Sequence, residues 1–144
     1  RKDVLVLGSI PPICGSYEPD SFDEVVAGPV LKDFLDAFRG TVDVLLLETV
    51  GSIREAEFYL QAIQRADLKL PVWLSFCIKT EHGYDSTPHL LTGDSITEAI
   101  MHLTSKHLLQ PNDVPVILVN CCDIRLVQDS MRELCEVTHP TIRI

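Results

Sequence analysis

The fold is decided by the stretch Asp43-Val44-Leu45-Leu46-Leu47-Glu48-Thr49. Its four apolar residues follow one another without polar alternation, which predicts a strand buried on both faces, as in a parallel sheet. Three further runs of this kind, rich in leucine and β-branched residues, lie on either side of it. They cover residues 4–7, 72–76 and 114–119.

Helical patterns separate these predicted strands. In the first, an apolar residue recurs at every fourth position from 26 to 38, which predicts a stripe that faces the sheet. Gly28-Pro29 is expected to restart this helix, because proline is tolerated in a first turn. The residues of the stripe are Val26, Val30, Phe34 and Phe38.

Two copies of the capping-box signature S-x-x-E mark the starts of the next two helices. The signature pairs Ser52 with Glu55 and Ser95 with Glu98. Asp123 is a suitable N-cap for one more helix. The predicted buried positions are Ile53, Ala56, Leu60 and Ile63 in the first, Ile96, Ala99, Ile100 and Leu103 in the second, and Ile124, Val127, Met131 and Leu134 in the third.

The elements form four βα units, and residues 141–144 are expected to open a fifth strand. This alternation predicts an α/β fold with parallel strands and right-handed crossovers. A doubly wound sheet of the flavodoxin type would be complete at about this length, whereas a (β/α)8 barrel needs about 250 residues. The sequence contains neither G-x-G-x-x-G nor a P-loop. The connection 79–94 is predicted to be an extended loop.

Composition excludes several classes of function. The 144 residues carry a formal net charge of −9, which repels a phosphate backbone, so nucleic acid is not an expected partner. No apolar run approaches the roughly 20 residues that cross a bilayer, and no secretory signal is recognisable, so no membrane partner is expected. The five cysteines are an odd number, which favours free thiols in a reducing compartment. We expect a soluble, cytoplasmic protein.

Polar side chains collect where the predicted strands end. The carboxyl ends of parallel strands meet at one edge, and the sites of α/β folds lie there. Glu48 directly follows a buried run, where an unpaired charge is expensive, so it should either bind substrate or be satisfied by local backbone or an arginine. The other residues at strand ends are Gly8-Ser9, Ser75 with Lys79 beyond it, and Asn120-Cys121-Cys122.

The cysteines have structural as well as chemical interpretations. Cys121 could be a metal ligand or a small buried hydrophobic residue, and Cys122 points to the opposite side by the period-two rule. Cys77 and Cys135 are expected in the core, and Cys14, in a loop, is expected to have no role.

Three other side chains suggest alternative chemistry. Lys79 could be the Schiff-base lysine of an aldolase-like barrel, or an exposed loop residue. His82 and His89 could join Cys121 in a zinc site, but they lack the i, i+4 spacing of helical ligands. A solvated loop is the simpler interpretation of both histidines.

Several segments, taken in order, resemble homocysteine S-methyltransferases. An E-T after a buried strand, a W-x-S-F strand and an N-C strand end form a specific combination, and the resemblance spans about residues 4–136. The segments are G-S-I-P-P (8–12), S-Y-E-P-D (16–20), D-V-L-L-L-E-T (43–49), P-V-W-L-S-F (71–76), T-G-D-S (92–95) with Glu98-Ala99, and V-N-C (119–121).

The resemblance implies a partial (β/α)8 TIM barrel of about four to five consecutive βα units. Residues 1–144 would be a single domain segment, the central part of a homocysteine-binding barrel. The family's N-terminal strands and its C-terminal Gly-Gly-Cys-Cys motif would lie outside this chain.

The resemblance also implies a substrate pocket and a metal. Cys121 would be one ligand of Zn²⁺, with the remaining ligands outside this chain, and Glu48 would bind homocysteine, with Asn120 and Ser75 lining the pocket. The zinc-activated thiolate of homocysteine would take a methyl group from a cationic donor, which is S-methylmethionine, S-adenosylmethionine or betaine, and give methionine. Homocysteine and a small methyl donor are thus the expected partners.

Two other functions stay open at this point. The chain could be a non-catalytic fragment or a divergent paralogue that acts through assembly. It could also belong to a Schiff-base aldolase-type barrel that uses Lys79.

Overall fold

A computed structural model describes residues 4–80 and 87–144. It shows a parallel sheet whose strands alternate with helices. In chain order the elements are β1 (Leu7–Ile10), a 3-10 turn (Pro19–Ser21), α1 (Glu24–Phe38), β2 (Val44–Val50), α2 (Ile53–Ala66), β3 (Val72–Lys79), β4 (His89–Leu90), α3 (Ile96–Ser105), β5 (Val116–Asn120) and α4 (Ile124–Val137).

Strand order separates the two predicted architectures. The parallel strands lie in the order β1-β2-β3-β5, which is also their order along the chain. A flavodoxin-type sheet reverses at a switch point, whereas right-handed crossovers in an unreversed order place every helix on the same face. Each helix accordingly contacts the next along the chain. The predicted α/β fold, a partial barrel of parallel βα units, is confirmed.

The end of the described chain continues this order. Arg143 forms a parallel bridge with Val116, and the N–H of Ile117 donates to the carbonyl of Arg143 at 2.9 Å. The expected fifth strand over residues 141–144 is therefore present as a single bridge beside β5.

The two faces of the sheet have different surroundings. The face under the helices is inaccessible, with Leu45, Leu74 and Ile117 each 0% exposed. The opposite face carries Leu46 and Trp73, which are only half-buried. Because side chains alternate along a strand and paired positions share a face, the strand-end residues belong to this second face. They are Ser9, Glu48, Ser75 and Asn120.

The first strand begins three residues later than predicted. Residues 4–6 lie outside it, and Val4 is 69% exposed. The register explains the shift, because Leu7 pairs with Val44 and Ile10 with Leu47. Gly8 is required at its place, since a Cβ there would lie 2.8 Å from the ring of Phe38.

The stripe predicted for α1 is wrong by one residue. The buried positions are Ala27, Leu31 and Leu35, whereas Val26 is 54% exposed. Two neighbouring rows of this helix are apolar, and packing against the sheet selects the row that the periodicity did not favour. The helix does not restart at Gly28-Pro29 either, because Pro29 lies inside a continuous helix near its first turn.

The other helices follow the sequence more closely. Ser52, Ser95 and Asp123 cap α2, α3 and α4 as predicted. All four predicted core positions of α3 are buried, and so are those of α2 except Ile53. In α4 the prediction is correct only for Leu134; Ile124 is 80% exposed, and the buried residues are Leu126, Ser130 and Leu134.

The connection after β3 contains a short strand that was not predicted. His89 and Leu90 form β4, antiparallel to Lys79 and Ile78. His82 lies outside the described residues. Within residues 4–80 and 87–144, no helix has the length and apolar character needed to span a membrane.

Candidate functional site

A β-bulge at the end of β2 positions Glu48 and Thr49. The strand pairs with β3 up to Leu47 and again at Val50, so two residues of β2 lie opposite one residue of β3. Thr49 has a φ of 58°, a conformation that costs a non-glycine residue on the order of 1–3 kcal/mol and persists only where contacts hold it. The regular pairing of β2 with β3 is thus interrupted at Glu48 and Thr49.

Asn120 supplies the contacts that hold this bulge. Its Oδ1 accepts from the Thr49 N–H at 3.0 Å and from the Ser75 hydroxyl at 2.8 Å. Its Nδ2 donates to Thr49 Oγ1 at 2.9 Å. One amide therefore joins the ends of three strands, β2, β3 and β5, and uses both its acceptor and its donor to do so.

Cys121 follows immediately and presents its thiol among three polar side chains. The residue is exposed and has a φ of 51°. Asn120 Nδ2 lies 3.4 Å and Thr49 Oγ1 3.7 Å from Cys121 Sγ. The Tyr17 side chain lines the same cleft as Cys121, and its interaction with this sulfur raises the pKa of Tyr17. The thiol of Cys121 is thus surrounded by polar side chains from the ends of β2 and β5.

The neighbouring thiols differ from that of Cys121. Cys77 is buried, as predicted, and its Sγ donates to the carbonyl of Cys121 at 3.3 Å. Burial raises the pKa of Cys77 to about 11 and also raises the pKa of Cys122. Both thiols are therefore neutral at physiological pH. The prediction that Cys135 lies in the core is wrong, because this residue is exposed on α4.

Glu48 has a hydroxyl partner rather than an arginine. The Ser9 hydroxyl, at the end of β1, donates to Glu48 Oε1. Both side chains lie on the half-buried face of the sheet. Ser9 thus orients the Glu48 carboxylate from the side of β1. Glu48 directly precedes Thr49, which contacts Cys121. Glu48, Ser75, Asn120 and Cys121 thus come together at the carboxyl edge of the sheet. Thr49 lies among them, and Ser9 lies beside Glu48 on the neighbouring strand β1.

A cleft of about 450 Å³ opens beside Cys121. Its walls include Tyr17, Lys79, Asp123 and Leu126. Asp123 bonds the Arg125 guanidinium, which lowers the pKa of Asp123 to about 2. Lys79 is exposed at the end of β3, which is not the buried setting that activates a Schiff-base lysine. The volume suits a small ligand.

The described part of the chain does not make a metal site by itself. Within residues 4–80 and 87–144, no three His, Cys, Asp or Glu side chains are grouped so that they could hold a metal ion. His89 lies on β4, and its Nδ1 is buried without a hydrogen-bond partner among the described residues. The zinc set that would combine His82, His89 and Cys121 therefore has no support from the described geometry. Cys121 offers one possible ligand.

Sequence reasoning assigned no role to three residues that contribute to this edge. The sequence placed Ser9 and Thr49 at strand ends, but only the structure shows their hydrogen-bond partners, which are Glu48 for Ser9 and Asn120 for Thr49. Tyr17 lies in the loop after β1, and no local pattern indicates that it reaches the end of β5. Ser9 and Glu48 are 39 positions apart in the sequence, and Thr49 and Cys121 are 72 positions apart.

The fold and this edge define a class of protein: a parallel βα barrel segment with a cysteine, a carboxylate and an amide at the carboxyl ends of its strands. The sequence model of the homocysteine S-methyltransferase family matches residues 1–144. The chain belongs to that family.

One solved structure shows the same fold. The crystal structure of the apo form of the homocysteine methyltransferase MmuM from Escherichia coli matches this chain with a TM-score of 0.64 and 22% sequence identity. The match covers 94% of this chain and 45% of that protein, so the chain spans less than half the length of its structural relative. A search of curated proteins found no match.

Proposed function

We propose that the protein containing this chain transfers a methyl group from a small cationic donor to the sulfur of homocysteine, giving methionine. The observation that supports this most is the Asn120 network, which places Glu48 and Cys121 on one edge. Family membership supports the same reaction class. The homocysteine thiol loses its proton to solvent. The carbon–sulfur bond of methionine then forms as the bond between the methyl group and the donor breaks, and the sulfur or nitrogen of the donor keeps the electron pair and loses its positive charge.

Each residue would serve substrate binding rather than proton transfer. The Glu48 carboxylate, oriented by Ser9, would pair with the homocysteine ammonium through charge-assisted hydrogen bonds. Asn120 and Ser75 would line the pocket and keep the strand ends in register. Orientation of this kind accounts for a large share of catalysis in two-substrate reactions.

The proposed metal is Zn²⁺, and Cys121 would be one of its ligands. The described residues do not complete a site, so the other ligands would come from elsewhere in the protein. In the same proposal, residues 1–144 are the central segment of a homocysteine-binding barrel. We expect the protein in the cytoplasm, because its free cysteines persist in a reducing compartment.

Methionine formation from homocysteine tests this proposal. The natural protein that contains the chain would be assayed with S-methylmethionine, S-adenosylmethionine and betaine, and its zinc content measured by elemental analysis. We expect one donor to support turnover, near-stoichiometric zinc, and loss of both on Cys121→Ala. Cys135→Ala is the matched control, since that thiol is exposed on α4.

Two results would contradict the proposal. Turnover with none of the three donors would favour a non-catalytic paralogue that acts through assembly. Zinc retained in full by the Cys121→Ala protein would remove the proposed ligand.

A further inference from the structure

Glu55 and Tyr59 form a buried polar pair on α2 that the proposed function does not use. They are one turn apart and therefore share a face of the helix. Glu55 is 5% and Tyr59 0% exposed. The Tyr59 hydroxyl donates to Glu55 Oε1 at 3.1 Å.

The pair bonds the chain at two separate places. Glu55 Oε2 accepts from the N–H of Gly51 at 3.0 Å, just after β2 ends. The Tyr59 oxygen accepts from the N–H of Ile13 at 3.1 Å, within the segment 11–22 that follows β1. The ring of Phe22, in the same segment, packs edge-on against Tyr59 with centroids 5.9 Å apart.

Both places carry a residue that contacts Cys121. Thr49 is two positions before Gly51, and its Oγ1 lies 3.7 Å from Cys121 Sγ; Tyr17 is four positions after Ile13 and lines the same cleft as Cys121. Burial of a carboxylate is costly, and here the bonds from Gly51 and Tyr59 offset that cost. The polar pair therefore has a role that packing alone does not explain.

We infer that Glu55 and Tyr59 are positioning residues that hold the segment 11–22 and the end of β2 together around Cys121, and so shape the homocysteine site. The inference rests on the proposed function for the identity of the substrate. The positioning of the segments around the thiol is a property of the chain itself.

Four variants of the natural protein separate positioning from general stability. Tyr59→Phe removes one hydroxyl and keeps the ring contacts, while Glu55→Gln keeps the shape and removes the charge. Ile63→Val trims a buried methylene from the same face of the helix and leaves the polar atoms of the pair unchanged. Glu98→Gln alters the other S-x-x-E box, which lies on α3.

The first measurement is the accessibility of Cys121. The protein is dialysed against a chelator and treated with iodoacetamide, and peptide mass spectrometry gives the alkylation rate of Cys121 relative to Cys135. We expect Tyr59→Phe and Glu55→Gln to raise this ratio at least about threefold, because Tyr17 and Thr49 no longer enclose the sulfur. Ile63→Val and Glu98→Gln should leave it unchanged.

The second measurement is steady-state kinetics. In the two variants of the pair, KM for homocysteine should rise about tenfold while kcat changes less than about threefold, since the pocket loosens but the reacting groups remain. An alkylation ratio within about twofold of wild type in both variants would overturn the inference, and so would an equal rise in Ile63→Val. Absence of methyl transfer in the wild type would refute the proposed function, while the alkylation ratio would still decide the role of the pair.

Discussion

Two S-x-x-E boxes stand at helix starts, at α2 and α3; the local sequence does not distinguish them, and the fold uses them differently. At α3, Ser95 Oγ accepts from the Glu98 N–H at 3.1 Å, and Glu98 Oε2 accepts from the Ser95 N–H at 2.8 Å, which completes the box. At α2, Ser52 accepts from the Glu55 N–H at 3.0 Å, but the Glu55 carboxylate bonds Gly51 and Tyr59 instead. The box at α2 therefore has the bond to the serine but lacks the return bond from the Ser52 N–H to the glutamate.

The two glutamates show the consequence in their acidity. Hydrogen bonds from Ser95 lower the pKa of Glu98, which lies at the surface. Burial raises the pKa of Glu55, although the bonds from Gly51 and Tyr59 oppose the shift. The same motif therefore has two roles. At α3 it stabilises the start of a helix, whereas at α2 its glutamate is buried and links two segments beside Cys121.

Removal of the glutamate should give the largest difference in stability loss between the two boxes. We expect Glu55→Ala to lower the free energy of unfolding by about 3 kcal/mol, because it leaves the Gly51 N–H and the Tyr59 O–H without an acceptor and opens a cavity. Glu98→Ala should cost much less, since water can replace the carboxylate. Urea unfolding of the natural protein measures both, and equal losses would show that burial of Glu55 carries no extra stability.

Removal of the serine should have a smaller and more similar effect. Loss of an N-cap costs about 1 kcal/mol, so Ser95→Ala should lower stability by about that amount. Ser52 is 3% exposed, so Ser52→Ala should cost somewhat more, about 1.5 kcal/mol, because the Glu55 N–H loses its acceptor out of reach of water. The same unfolding experiment would contradict this order if Ser95→Ala were the more damaging change.

The pH dependence should have opposite signs at the two glutamates. Between the ordinary value of 4.5 and the raised pKa of Glu55, the folded state binds more protons than the unfolded state, so Glu55 makes stability fall as pH rises. Glu98 has a lowered pKa; its contribution is present above 4.5 and is lost as pH falls through the folded value.

Carboxyl ¹³C NMR titration of the folded protein tests these directions residue by residue. Glu55→Gln and Glu98→Gln identify the two signals and should change the slope of stability against pH in opposite senses. A Glu55 pKa at or below the ordinary value would contradict the burial argument.

Ser130 on α4 gives the smallest expected effect and sharpens the comparison. It is 0% exposed, and its hydroxyl has no hydrogen-bond partner among the described residues. Because a buried unpaired hydroxyl is unfavourable, Ser130→Ala should leave stability unchanged or raise it by about 0.5 kcal/mol. A clear loss in urea unfolding would mean that this hydroxyl has a partner. Buried polar groups thus matter here when they are paired, as Glu55 is.

Sequence patterns predicted the elements better than their exact faces. Helix starts at Ser52, Ser95 and Asp123 were found because capping is a local interaction. The buried row of α1 and the core position of Cys135 were predicted wrongly, since several rows of a helix can be apolar and only the neighbouring element selects one. The start of β1 was missed for the same reason: its register is set by β2.

The candidate site shows the same division. Glu48, Ser75, Asn120 and Cys121 could be named from the sequence because polar residues that end apolar runs collect at one edge of a parallel sheet. Their roles stay predictions. Ser9 and Tyr17 could not be assigned to partners, because their contacts depend on which strand ends lie side by side.

The sequence by itself determined the α/β class, the order of the βα units and the caps of three helices, since each follows from hydrophobic periodicity or short-range spacing; its motifs also carried the resemblance to the family. Tertiary structure alone decided the unreversed strand order, the bulge at Glu48–Thr49, the Asn120 network and the use of Glu55 as a buried link. The physical reason is that a cap is satisfied within four residues, whereas the bond from Ile13 to Tyr59 and the bond that holds the strained Thr49 join residues 46 and 71 positions apart.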